Sequence, residues 1–132
     1  MSGAAAEAPT IAIIDDDESI RVATSSFVRS LGFAATSFSS AEEYLRSPQR
    51  YRSLCLISDV QMPGMSGLDL QSHLAAQGHR VPIIFITAFP DDNVRSRALA
   101  QGAVCFLEKP FDSQALSRCI DMALRDDTGE NG

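Results

Sequence analysis

Apolar residues gather in five short runs: TIAII (10–14), FAATSF (33–38), LCLIS (54–58), PIIFIT (82–87) and AVCFL (103–107). Each is of strand length and is succeeded by a stretch with helical spacing. Ile20, Thr24, Phe27 and Leu31 fall on one helical face, and Gly32 stops that helix. Ser40 with Glu43 forms a capping-box pattern before a short helix ending near Pro48. Ser66 caps a helix carrying Leu70 and Leu74, closed by Gly78. Asp91 or Asp92 opens another, closed by Gly102. Asp112 or Ser113 precedes a last helix with Leu116, Ile120, Ala123 and Leu124 facing inward. Strand and helix alternate five times, which predicts a parallel sheet covered on both faces, a doubly wound α/β domain.

With 132 residues, 45% of them hydrophobic, the chain has the size and apolar content of one domain. We expect the domain over residues 10–125, after a disordered lead-in (1–9) and before a disordered tail or linker stub (126–132). No apolar run is long enough to span a bilayer, and the first residues lack the basic region of a secretory signal. The net charge of −6 and the lack of a Lys/Arg cluster argue against a nucleic-acid surface. They suit a bound cation or a basic protein partner. Cys55, Cys105 and Cys119 form no zinc or disulfide pattern. They are expected to be small core residues in a reducing, cytoplasmic setting.

In such a sheet, functional groups collect beyond the carboxyl ends of the strands. At the ends of the apolar runs stand Asp15-Asp16-Asp17, then Asp59, then Thr87, then Glu108-Lys109. Two carboxylates about 4 Å apart repel by about 4 kcal/mol at an effective dielectric of 20. Asp15, Asp16 and Asp59 therefore call for a cation, and Mg²⁺ suits carboxylates, waters and a phosphate together. The Gln61 carbonyl, just past Asp59, offers one more oxygen. Lys109 is the only lysine beside ten arginines, a compact point charge suited to a phosphoryl oxygen. Thr87 adds a hydroxyl donor; a strand-ending Thr and a surface Lys before Pro110 are the plainer readings. Asp17 reads as the solvated member of the triple acid. His73 and His79 come after no strand and are assigned no chemistry. Together the set points to phosphoryl transfer with a carboxylate nucleophile. No phosphate-binding glycine loop is present, so a nucleotide is not expected.

IIDDDES, ISDVQMPGMSGLDL, IFITAF and GAVCFLEKPF, in this order and each at a predicted strand, resemble the receiver domain of two-component response regulators. The last stretch is most similar to nitrogen-fixation-type regulators, which carry a separate helix-turn-helix output domain. The resemblance implies a flavodoxin-like five-stranded parallel sheet of order 2-1-3-4-5 with five helices. It implies Asp59 as phosphoacceptor, with Asp15, Asp16, Asp59 and the Gln61 carbonyl as Mg²⁺ ligands. Thr87 and Lys109 would contact the phosphoryl group, and the Lys109–Pro110 bond would be cis. Phe106 would be the switch aromatic, without the hydroxyl of the Tyr common there, and Cys105 stands where the nearest relatives often carry Asp. Gln61 and Phe89 would shape water access to the phosphoryl group.

The implied partners are a sensor histidine kinase or phosphotransfer protein, and a second copy through the fourth helix, fifth strand and fifth helix, where Arg95, Arg97, Arg118 and Asp121 lie. The chain would catalyse only its own phosphorylation and dephosphorylation. Two alternatives stay open. One is a haloacid-dehalogenase-type phosphatase, whose first motif Asp15-x-Asp17 matches crudely but whose late acids, Asp126 and Asp127, come after a helix. The other is a receiver acting as a phosphorylation-independent scaffold.

Overall fold

The computed structural model describes residues 9–129. The expected lead-in (but for Pro9) and residues 130–132 lie outside them. The five strands are β1 (Thr10–Ile14), β2 (Ala35–Phe38), β3 (Ser53–Asp59), β4 (Ile83–Thr87) and β5 (Cys105–Glu108). The helices between and after them are α1 (Glu18–Ser30), α2 (Ala41–Arg46), α3 (Gly67–Ala76), α4 (Asp92–Ala100) and α5 (Ser113–Gly129). All strand pairs are parallel, in the order β2-β1-β3-β4-β5, as the family resemblance implies. The last helix runs on past residue 125, the expected end of the domain.

Side-chain alternation along the strands sorts the core into two layers. Ala12, Ile14, Leu56 and Phe85 face α2, α3 and α4, where they meet Tyr44, Leu70, Leu74 and Ala98. Ile11, Ile13, Cys55, Ile57, Ile84 and Ile86 face the other way, onto Val28 of α1 and Leu116, Ile120 and Ala123 of α5. Burial on both faces explains why β1 and β4 are nearly continuous apolar runs. Each fully buried Ile or Leu contributes about 1.5–3 kcal/mol against exposure.

The helix starts obey local chemistry. Asp17 caps α1 by accepting from Ser19 N. Ser66 and Asp69 form a reciprocal capping box on α3, and Asp91 caps α4. Ser40 caps α2 through Glu43 N, but Glu43 itself reaches Ser39 N rather than the cap.

Two expectations need correction. On α1, Thr24 and Phe27 face the core as expected, joined by Ser25 and Val28, whereas Leu31, just past its end, is 38% exposed. After α2 a 3₁₀ turn, Pro48–Arg52, leads into β3, with Ser47 as its cap and Pro at the first position, where no N–H is needed. Of the cysteines, only Cys55 is a free, buried core thiol. Cys105 of β5 and Cys119 of α5 are joined in a disulfide, with Cα atoms 6.0 Å apart. Their 14-residue separation carries no motif, and only the packing of α5 on β5 brings them together.

Candidate functional site

Strand register assembles the site. Ile14 lies opposite Ser58, so one step further along each strand Asp15 comes beside Asp59. Asp59 in turn pairs with Ile86 on β4, and Thr87 pairs with Glu108 on β5. The acids, the threonine and the lysine thus share one rim. One carboxylate oxygen from each of Asp15, Asp16 and Asp59 lies within 4.8 Å of the others. Lys109 Nζ donates to Asp15 Oδ2 at 3.0 Å and to Asp59 Oδ2 at 3.2 Å. Asp15 and Asp59 are buried, at 3% and 7% exposure, while Asp16 and Gln61 are exposed.

Each group is held from its own element. Asp15 Oδ1 accepts from Asp17 N at 2.9 Å, and Arg21 of α1 donates Nη1 to the Asp15 carbonyl at 2.7 Å. Asp59 Oδ1 accepts from Gln61 N at 3.2 Å. Lys109 N donates to Thr87 O at 2.7 Å, and the Lys109–Pro110 bond is cis. The Thr87 hydroxyl accepts from Phe89 N at 3.1 Å, which leaves its own proton available to an incoming anion. Phe89 stands 69% exposed beside it.

Burial raises the Asp59 carboxyl above its ordinary range, and the nearby Asp15 charge raises it further. Lys109 and the Gln61 N–H oppose both. Burial would lower the Lys109 ammonium, but the hydrogen bonds and charges of Asp15 and Asp59 outweigh it and raise it. The set can hold a metal ion: three carboxylates against one ammonium leave two negative charges, the complement of a divalent cation, and all the donors are hard oxygens. Asp17 is committed to Ser19 through both N and Oγ, so its solvated reading is refined to that of a helix cap. His79 packs edge-on to Tyr51, with ring centroids 5.8 Å apart, and takes no part in this rim.

Phe106 lies half-buried on β5 with its ring 6.4 Å from that of Phe85. It borders a cleft of about 320 Å³ with Pro90, Asp91, Arg95 and Glu108. Sequence reasoning missed Arg21 and Glu42. Arg21 holds the Asp15 main chain, and Glu42 accepts from Met65 N on the β3–α3 loop at 3.0 Å. Both look like solvated helix-face residues, and each acts on main chain that no sequence pattern marks.

A five-stranded parallel sheet of this order, with an acid cluster and a lysine on its carboxyl rim, defines a flavodoxin-like α/β module. Residues 11–121 match the response regulator receiver domain, and the chain belongs to that family. It is similar to the response regulator protein TodT of Pseudomonas putida, 44% identical over 118 residues, 89% of this chain and 52% of the relative. It is also similar to the transcriptional regulatory protein FixJ of Bradyrhizobium diazoefficiens, at 36% over 87% of this chain and 56% of the relative. Among solved structures, the response regulator StyR superposes with a TM-score of 0.85 at 38% identity, over 94% of this chain and 63% of that one. The crystal structure of FixJ-N superposes at 0.80 with 33% identity, over 89% and 94%. The chain spans about half the length of the curated relatives it matches. The expected family and fold are thus borne out, and the phosphatase alternative gives way to the receiver. Among the described residues no helix is long and apolar enough to cross a membrane.

Proposed function

We propose that this receiver takes a phosphoryl group onto Asp59 from a histidine kinase or phosphotransfer protein. The observation that carries the reading is the position of Lys109, whose ammonium touches both Asp15 and Asp59 within an acid cluster that has room for a cation. Asp15, Asp16, Asp59 and the Gln61 carbonyl would hold Mg²⁺. When bound, it neutralises charge on the phosphoryl oxygens and on the carboxylates around them.

The chain's own groups do the rest. An Asp59 oxygen attacks phosphorus in line, forming the acyl phosphate as the bond from phosphorus to the donor's imidazole nitrogen breaks. Lys109, already beside Asp59, pairs with a phosphoryl oxygen. Thr87 donates its hydroxyl proton to another. Inward movement of Thr87 favours a state in which Phe106 also turns inward, so phosphorylation biases two existing conformations. The face formed by α4, β5 and α5, with Arg95, Arg97, Arg118 and Asp121, is the proposed surface for a second copy or an output partner. The chain would act through protein contacts, with catalysis confined to gain and loss of its own phosphoryl group; its Cys105–Cys119 disulfide removes the cysteine-based argument for a reducing compartment.

Incubation with Mg²⁺ and a small acyl phosphate should add one phosphoryl group by mass. Asp59→Asn and chelation should each abolish it. Labelling that survives Asp59→Asn overturns the assignment, and partner binding indifferent to that substitution would favour the scaffold reading.

A further inference from the structure

The β3–α3 loop, residues 60–66, carries the carbonyl of Gln61. Main-chain bonds fix its ends: Val60 N donates to Ile86 O at 3.2 Å, and Gly67 N to Val60 O at 2.8 Å. Its outer part is tethered from a distant element, since Glu42 Oε2 accepts from Met65 N across 23 residues of sequence. Gly64 makes the room for that carboxylate. Its φ is +76°, and a Cβ there would stand 2.7 Å from Glu42 Oε2.

Glu42 extends from a firm base. Helix α2 is pinned by fully buried Tyr44, whose hydroxyl lies 2.9 Å from Ser53 Oγ and 3.3 Å from Arg50 O. The Met65 N–H also lowers the Glu42 carboxyl below its usual range, as expected of a carboxylate that accepts from main chain.

We infer that Glu42 is a positioning residue for the metal site: by clamping the loop at Met65 and Gly64 it sets where the Gln61 carbonyl stands, and so sets the affinity for Mg²⁺. This rests on the reading that Gln61 and the acid cluster hold that ion. A clamp of this kind exceeds a helix-surface carboxylate in effect because it acts through ordered main chain on a ligand. Loss of a partner bonded directly to a metal ligand costs about 10–100-fold in metal affinity; Glu42 acts one step further out, through Met65, so the low end of that range applies.

The test is a Mg²⁺ titration of the unphosphorylated protein, monitored by the amide shifts of Asp16 and Gln61. The wild type saturates and Asp59→Asn binds more weakly. Glu42→Ala needs about tenfold more Mg²⁺. Glu42→Gln keeps an oxygen that accepts from Met65 N while losing the charge, so it stays within about threefold of wild type. Should Glu42→Ala fail to fold, Glu42→Asp, whose shorter side chain withdraws the carboxylate from Met65 N, decides on the same criterion. Wild-type affinity in folded Glu42→Ala overturns the inference. So does equal weakening in Glu42→Gln and Glu42→Ala, which would mark a bulk charge effect. A wild type that binds no Mg²⁺ instead overturns the metal-site reading beneath it.

Discussion

Lys109 Nζ sits between two carboxylates, 3.0 Å from Asp15 and 3.2 Å from Asp59. One ammonium offsets part of the repulsion between them, yet burial and Asp15 still leave the Asp59 carboxyl raised. Its folded pKa therefore lies above the unfolded value of 3.8. A raised carboxyl favours folding while protonated, and that contribution is lost as pH rises from 3.8 through the folded value. Asp59→Asn, neutral throughout, should raise the thermal midpoint at neutral pH without Mg²⁺. The gain should vanish below pH 3.8, as thermal unfolding over an acid-to-neutral series would show.

Lys109→Met keeps the aliphatic stem and removes the charge. Mg²⁺ should still bind, because the oxygen ligands remain. Transfer from an acyl phosphate should slow by about 10²-fold, the usual cost of one lost electrostatic donor. Time-resolved intact mass would measure it, and a labelling rate within a few-fold of wild type would refute the role given to Lys109.

Gly67 opens α3 with its backbone against the strand that bears Asp59. A Cβ there would collide with Asp59 O and stand 2.9 Å from Phe85 Cε1. One neighbour is main chain at the end of β3 and the other a fully buried ring, so neither yields easily. Gly67→Ala should cost about 1–3 kcal/mol by overpacking, read by urea unfolding, and should also slow labelling because the Asp59 main chain must shift.

The three cysteines should separate chemically. Burial pushes the Cys55 thiol up to about 12, so it should resist alkylation in the folded protein. After mild reduction, Cys105 and Cys119 should take two alkyl groups, counted by mass. Opening their 14-residue link should lower stability by at most about 3 kcal/mol, the loop-closure value for that length. Alkylation of Cys55 ahead of the pair would contradict the packing.

Much of this site is written where strands stop. Asp59 was legible because an apolar run ends on an acid, and Lys109 because the chain uses arginine everywhere else. The two-faced core was legible from the five apolar runs, whose alternation fixes which side each residue joins. What stayed hidden depends on pairs remote in sequence. The Glu42–Met65 bond and the Cys105–Cys119 link exist only once helices pack. Arg21 reaches a carbonyl, a group every residue has. Helix ends misled differently: periodicity put Leu31 inside, but the chain leaves the helical path there and the side chain meets solvent.

The hydrogen bond from Lys109 N to Thr87 O ties together the main chains of the two residues proposed to grip the anion. A shift of the Thr87 backbone is therefore handed to β5. That strand is one of the sheet's two edges, with a ladder on one side only, and its disulfide carries α5 along with it. A chemical event at the rim can thus leave the domain sideways, through an edge strand and the helix bonded to it, as a change of outline that a neighbouring molecule can feel.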